Sequence, residues 1–439
     1  MLKEIDIKLT AQVLINQNLY HIPTTFVTIM DISKIRLDFP ALWKKWNGKY
    51  PIYFDNACMT LKPKQVIDSM NEYYNEYPVC GGRSIHKMAK KVDEKVTEAR
   101  EKFQKFLGAS CPEEIIFTRN TTEGLNLVAN SLELKKGDIV LTTDREHNSN
   151  LIPWQIQAHK RGIKHMVVYS NPDNTFNIPQ FEEIVSKNKN VRLVSMVHTA
   201  NLDGYTIPAK EIIKIAHEHG ALVMLDGAQS APHKHVDMKA LDVDFFALSV
   251  HKMAGPTGMG VLYGKQHLLS ELAPFIVGGD TVSDTTYDGA KFLPPPEKFE
   301  AGLQNYAGII GSGAAVDYLN NIGLSDIEEH EKRLNTIITK GIKDMPGLKI
   351  IGPQEPGMRG GIIAFTVELP KGGDAHDIAL VLDETENIEV RSGAFCVHSW
   401  FNYRKCEAAV RASLYLYNTE EEARKFIDVL GKTIGLFNP

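Results

Sequence analysis

Residues 221–260 read Ala221-Leu-Val-Met-Leu-Asp226-Gly-Ala-Gln229-Ser230, a connection, Asp244-Phe-Phe-Ala-Leu-Ser249-Val-His251-Lys252, and Met253-Ala-Gly-Pro-Thr-Gly-Met-Gly260. The apolar runs 221–225 and 243–248 are too short for helices and suit buried strands. Each stops abruptly in polar chemistry. In an open α/β sheet, ligands bind beyond the carboxyl ends of the strands. An acid, an amide, a hydroxyl, an imidazole and an amine are therefore delivered to one rim. A Gly/Pro-rich turn and a further apolar run, 260–263, follow Lys252, which predicts an interior lysine. A partly desolvated amine loses its proton more easily and forms Schiff bases. A carboxylate on the neighbouring strand suits a pyridinium nitrogen. Taken alone, the stretch fits a cofactor lysine or a plain lysine equally.

Working outward, the 439 residues are 43% hydrophobic and 23% charged, the composition of an ordinary globular protein long enough for two domains. The net charge of −5 and the lack of a basic block give no reason to expect nucleic acid as a partner. No apolar run approaches a membrane span, and the N-terminus lacks a signal-peptide pattern. Five cysteines without a C-x-x-C predict neither a disulfide framework nor a zinc site, so no metal is expected and the expected location is cytoplasmic.

Residues 1–29 lack periodicity and read as an N-terminal extension without assigned function; Met30 opens a more natural start. A short strand at 51–54 runs into Asn56-Ala57, which either line a site or simply end the strand. After Gly81-Gly82-Arg83-Ser84 a helix is predicted, with the stripe Met88, Val92, Val96, Ala99, Phe103, Phe106 and Leu107 facing the core. The strand 114–118 leads into Arg119-Asn120-Thr121-Thr122-Glu123-Gly124 and a helix from about Leu125. Asn120 and Glu123 fit an N-cap and its partner three residues on. A strand, polar turn and helix N-terminus make an anion site, with hydroxyls from Thr121 and Thr122; a plain capped helix is the other reading. His147 follows the strand 138–142 and either stacks on a flat ring or caps a helix. Asn201 follows the strand 191–197 and is a candidate donor to a ring oxygen. Strand–helix alternation from 114 to 263 predicts a mainly parallel sheet between helices. Thr121, Thr122, His147, Asn201, Asp226, Gln229 and Lys252 all fall just after its strands.

Residues 275–299 read as a long loop and a boundary. Helices from about 304, near 326–345 and near 419–435, with strands at 348–352 and 361–367, predict a smaller α+β domain. In it, Arg391-Ser-Gly-Ala-Phe-Cys396-Val-His398 precedes Cys406-Glu-Ala-Ala-Val-Arg411. A cysteine flanked by Arg391, His398 and Arg411 has the electropositive setting that favours thiolate, whereas most buried cysteines are inert. Arg411, inside an apolar strand, requires a buried anion such as a substrate carboxylate. Cys58 and Cys80, in N-terminal turns, are the competing thiols; Cys111 and Cys406 read as packing or surface residues.

Together these residues resemble the class V aminotransferase superfamily of fold-type-I pyridoxal-phosphate enzymes, and most of all its Suf-type cysteine desulfurases. The similarity spans roughly residues 35–435. Ser249-Val-His251-Lys252-Met-Ala-Gly matches the cofactor-lysine motif, which places pyridoxal 5'-phosphate on Lys252. Asp226-Gly-Ala-Gln229 matches the pyridinium aspartate and the glutamine near the phenolic oxygen, and Glu146-His147-Asn matches the stacking histidine. Asn120-Thr121-Thr122, with Ser249 and His251, matches the phosphate site. Arg391-x-Gly-x-x-Cys396 and Arg411-Ala-Ser match the persulfide cysteine and the carboxylate-binding arginine. The chain departs from the pattern in three places. Ala394-Phe395 stand where two histidines are usual. Leu303 then Gln304 stand where a threonine reaches the partner subunit's phosphate. Asp280-Thr281-Val282 follow Gly278-Gly279 in place of Glu-Met. The resemblance implies a homodimer, L-cysteine as substrate, bound by Arg411, Arg391 and Asn201, and a persulfide on Cys396 passed to a sulfur-acceptor protein. Lys252, Cys396 and His147 would be catalytic, and Gln304 would take the threonine's place at the cofactor. It also implies four segments: the extension 1–29, a segment 30–50 packing on the small domain, a large cofactor domain 51–303 and a small domain 304–439. The rival reading is another enzyme of the superfamily, a cysteine or selenocysteine β-lyase, an epimerase or an aminotransferase, in which Cys396 is incidental.

Overall fold

The protein is described by a computed structural model in which residues 30–437 are placed; the extension 1–29 lies outside them. Seven strands form one sheet in the order Ile115–Thr118, Gly260–Gly264, Phe245–Ser249, Leu222–Asp226, Val191–Val197, Ile139–Thr143, Lys164–Val168. Gly260–Gly264 runs antiparallel to both of its neighbours. The other neighbouring pairs are parallel. Every residue of Phe245–Ser249 is buried, so both faces of the sheet are covered, as a parallel sheet requires. Helices Thr121–Ser131 and Asn148–Arg161 pack on it, and Trp154, Leu193, Met224 and Phe245 share one apolar cluster. Gly260 lies against the Asn120 backbone, where a Cβ would come within 2.6 Å, so this strand and the polar turn at 120 meet only because position 260 lacks a side chain.

A second sheet is antiparallel throughout, in the order Leu348–Ile351, Ile362–Val367, Ala409–Ser413, Arg391–Gly393. Helices Leu324–Ile342, Ala375–Glu386 and Glu420–Phe437 bury its apolar side through Leu334, Phe365, Leu382, Val410 and Phe426. Two short parallel strands, Ile52–Tyr53 and Ile388–Glu389, bring the turn at 55–58 to this sheet, and Asp55 bridges to Ser413. Residues 31–50 contact the same region: Arg36 pairs with Glu422 at 2.7 Å, and Lys49 with Glu386 at 3.1 Å.

Several local expectations change. The stripe of helix Lys87–Phe106 turns in Ala89, while Met88, in the first turn, is 40% exposed. The helix expected from Leu125 starts at Thr121, directly after the Asn120 cap, which accepts a hydrogen bond from Glu123 N at 3.0 Å. Residues 275–299 are not all loop: Val282–Thr286 and Gly289–Phe292 pair as an exposed antiparallel hairpin. Its alternation is masked by the polar residues of a two-sided exposed ribbon. Among the described residues, no helix is long and apolar enough to cross a membrane.

Candidate active site

The carboxyl ends of the large sheet and the loops of the small one enclose a cavity of about 470 Å³, lined by Thr121, Thr122, His147, Asn201, Asp226, Gln229, Ser249, His251, Lys252, Arg391, Cys396 and Arg411. Cavities of this size hold small cofactors and substrates. Lys252 follows strand Phe245–Ser249 in a short 3₁₀ turn, and Asp226 ends the adjacent parallel strand. Burial lowers the affinity of Lys252 for its proton, against the opposing pull of Asp226. Burial likewise raises the pKa of Asp226, whose Oδ1 accepts from Ala228 N at 3.0 Å. A cationic ring nitrogen beside this carboxylate would compensate its burial.

At the other end, helix Thr121–Ser131 points its N-terminus into the cavity. Thr121 N donates to Ser249 Oγ at 2.8 Å, the Thr121 and Ser249 hydroxyls are 2.6 Å apart, and the Thr122 hydroxyl meets Ser149 Oγ at 2.7 Å. Hydroxyls and a helix dipole so gathered form an anion cradle. Lys62 was not singled out from the sequence. Its ammonium is pushed down to about 7 by burial, and Nζ donates to the His251 carbonyl at 2.9 Å, beneath the Lys252 turn.

His147 caps helix Asn148–Arg161, its Nδ1 accepting from Ser149 N at 3.1 Å, so Nε2 carries the proton of the neutral ring. Burial, then Lys252, pushes its pKa down to about 3, so the ring is neutral at ordinary pH. Asn201 donates to the Phe395 carbonyl at 2.8 Å, and Gln229 to the Ala57 carbonyl at 2.6 Å. Asn201 Oδ1, Gln229 Oε1 and Arg411 Nε are buried with no protein partner, although their residues line the cavity. Buried polar atoms of this kind call for a ligand or water.

Arg411 is 3% exposed and donates to the Asn201 carbonyl at 3.0 Å. Burial depresses its pKa, with Asp55 opposing. Asp55 is the anion that sequence reasoning left unnamed: it reaches Arg391 at 2.7 Å and Arg411 at 3.4 Å. Its place two residues after strand Ile52–Tyr53 is the local signal, because the pairing with Ile388–Glu389 that carries it across is non-local. Asn56 does not line the cavity; it is fully buried and donates to the Ser413 carbonyl at 2.7 Å, while Ala57 does line it.

Phe395 packs its ring 4.8 Å from the Arg411 guanidinium and joins the cluster with Val397, Trp400 and Phe401. Cys396 follows it on the loop between Arg391–Gly393 and His398–Arg404, exposed toward the cavity. Of the other thiols, Cys58 lines the same cavity; Cys80, Cys111 and Cys406 do not. Gln304 is not among the lining residues either. Its side chain donates to the carbonyls of Ala301 and Gly302 at the rim of another cavity. Among the described residues, no group of three or more His, Cys, Asp or Glu is placed to hold a metal.

The model of the class-V aminotransferase family matches residues 52–426. The chain belongs to that family. Among other family proteins it is 40% identical, over 92% of its length and 97% of the other, to a Halalkalibacterium halodurans protein named "Probable cysteine desulfurase". An apo cysteine desulfurase from Thermococcus onnurineus superposes with a TM-score of 0.86 at 36% identity, covering 92% of this chain and 98% of that one. The Escherichia coli cysteine desulfurase CsdA, in an S-sulfonic acid form, superposes with a TM-score of 0.85 at 30% identity, covering 93% and 99%. This family member has a donor set that fits a phosphorylated pyridine aldehyde: an amine, a buried carboxylate, an anion cradle and orphaned buried polar atoms in one cavity.

Proposed function

We propose that this protein is a pyridoxal-phosphate-dependent cysteine desulfurase, converting L-cysteine to L-alanine and leaving the sulfur as a persulfide on Cys396. The observation that carries the reading is the meeting, in one cavity, of an exposed thiol, a buried cationic fork, a partly buried lysine and a buried aspartate. Relatives named as desulfurases, similar over nearly the whole chain, agree with it.

Lys252 would hold the cofactor, Asp226 its ring nitrogen and the cradle of Thr121, Thr122, Ser249 and His251 its phosphate. Bound there, pyridoxal phosphate supplies an electron sink for bond breaking at the substrate α-carbon. Arg411 grips the substrate carboxylate through its fork, aided by Arg391 and by Asn201. Lys252, in its neutral form, accepts the proton lost from the α-carbon and returns one. Neutral His147, which lines the cavity with its proton on Nε2, would stack on the ring. The Cys396 thiolate attacks the substrate sulfur; the bond from that sulfur to the β-carbon breaks, and a proton takes its place. L-cysteine and a thiol thus give alanine and a persulfide, without oxidant.

The large sheet's residues, 51–303, act as the cofactor-binding part, and 304–439 carry the thiol and the carboxylate grip. A homodimer is part of the proposal. Gln304 turns away from its own cavity, and Val277, Tyr287 and Leu303 are apolar and exposed along the same segment. A second protein accepts the sulfur, and a reduced cytoplasmic setting suits a reaction that needs free thiols. The test is a persulfide-trapping assay on Cys396→Ser. It should keep the cofactor's visible absorbance and lose persulfide formation. A variant that releases alanine and sulfur at the parent rate would refute the role of Cys396 as the sulfur acceptor.

A further inference from the structure

The cavity is lined by two cysteines, which come from segments far apart in the sequence. Cys58 comes from the turn after strand Ile52–Tyr53, and Cys396 from the loop after Arg391–Gly393. Both are exposed. They differ in their surroundings. Arg391 donates to Cys58 Sγ at 2.9 Å while pairing with Asp55 at 2.7 Å, so its guanidinium is held against the Cys58 sulfur. Among the described residues, no hydrogen bond reaches Cys396 Sγ. A guanidinium N–H is a favourable partner for a sulfur anion, and nothing equivalent touches Cys396.

The Cys396 loop is also fixed in place. Its carbonyl accepts from Asn148 N at 2.7 Å, the Phe395 carbonyl accepts from Asn201 at 2.8 Å, and Val397 N donates to the Ala394 carbonyl at 2.8 Å. Phe395 and Cys396 stand at φ of 51° and 60°, a left-handed pair held by these contacts. The backbone on either side of the Cys396 sulfur is therefore anchored by hydrogen bonds. The orphaned, buried Arg411 Nε marks the same cavity as a place that takes a ligand. Either thiol, as an anion, raises the proton affinity of Lys252, so both lie within electrostatic reach of the reacting amine.

We infer that Cys58 is a second sulfur-carrying residue of this site, taking the sulfane sulfur from Cys396 and freeing it for another turnover. The inference rests on the desulfurase reading above. The step is a thiol–persulfide exchange. The Cys58 thiolate attacks the outer sulfur of the Cys396 persulfide. The bond between that sulfur and Cys396 breaks, and its electron pair stays on Cys396 as a thiolate. The new persulfide on Cys58 keeps the proton of the transferred sulfur, or gives it up to sit as an anion against Arg391. One sulfur–sulfur bond breaks and one forms, so no oxidant or reductant is consumed.

The test uses the holoenzyme without reductant, mixed with L-cysteine and quenched before steady state, with alanine counted and persulfides trapped by alkylation and mapped. The parent should release about two alanines per chain in the burst and carry persulfide on the peptides of both Cys58 and Cys396. Cys58→Ser and Cys58→Ala should each give about one, with persulfide on Cys396 alone. Cys396→Ser should load neither position. Cofactor absorbance in each variant reports an assembled site. A parent burst of one with only Cys396 loaded would overturn the inference and leave the desulfurase reading intact. So would a Cys58–Cys396 disulfide formed with release of sulfide, or persulfide on Cys58 in Cys396→Ser. Absence of alanine from the parent would overturn the desulfurase reading, and this inference with it.

Discussion

Replacing Arg411 by lysine keeps the positive charge and removes the fork. In the structure Nη1 is committed to the Asn201 carbonyl at 3.0 Å, Nη2 leans toward Asp55 at 3.4 Å, and Nε has no partner. A substrate carboxylate would take the weakly held and unheld donors together, as two parallel charge-assisted hydrogen bonds. Each such bond contributes about 1.5–3 kcal/mol. Lysine offers a point charge in place of the planar fork, so one of the two is lost. At about 1.4 kcal/mol per decade, this loss is roughly 10- to 150-fold in kcat/KM for L-cysteine, appearing mainly in KM. Phe395, 4.8 Å from the guanidinium, also loses its stacking partner, so the effect should fall toward the upper part of that range. The assay is alanine release against L-cysteine concentration, with the cofactor's visible absorbance as a check that Lys252 is still engaged. A KM within about twofold of the parent, at full cofactor occupancy, would falsify the assignment of Arg411 to the carboxylate.

Other consequences follow from the frame around the site. Arg145 is 2% exposed and pairs with fully buried Asp203 at 2.9 Å, so Arg145→Ala leaves a buried carboxylate unpaired and should cost about 3–5 kcal/mol in denaturant unfolding. Gly204 stands at φ +77° with the Arg359 carbonyl 1.8 Å from any added Cβ; Gly204→Ala should lower the melting temperature by several degrees or prevent folding, and a melt within a degree of the parent would count against this packing. His330, buried with Nε2 donating to the Asn418 carbonyl at 2.9 Å, has its pKa pushed down to about 4 by burial. The unfolded chain takes up this proton first as pH falls below about 6.5, so stability from the neutral ring is complete above that pH and is lost toward pH 4. Between pH 7 and 4.5 the parent should therefore lose about 2 kcal/mol more than His330→Gln, measured by urea unfolding at each pH; equal losses would contradict it.

Much of this was legible in the chain because it is local. Short apolar runs ending in Asp226, Ser249 and Lys252 announce strands and their rim, and Asn120 with Glu123 announces a helix start, since each signal lies within a few residues of its consequence. Pairings between distant segments were not legible. The contact of Ile52–Tyr53 with Ile388–Glu389 puts Asp55 and Cys58 beside Arg391 and Arg411, and no periodicity near residue 55 points 330 residues onward. The sequence suggested Arg391 as a substrate ligand; the structure ties it to Asp55 and Cys58, although it lines the cavity. Phe395, conspicuous as a departure from the family pattern, has a packing role against Arg411 that a hydrophobic count cannot distinguish from ordinary core. The hairpin at Val282–Thr286 and Gly289–Phe292 was missed because an exposed ribbon needs no apolar alternation.

The central claim is that the substrate's sulfur leaves to a protein thiol while its carbon skeleton keeps its nitrogen. The most direct measurement is the carbon product of purified holoenzyme acting on L-cysteine, resolved by proton NMR. The account predicts alanine, in amounts equal to the sulfur recovered as persulfide and sulfide together. Pyruvate and ammonia in place of alanine would contradict it, because they mark β-elimination, in which no thiol at Cys396 has a part.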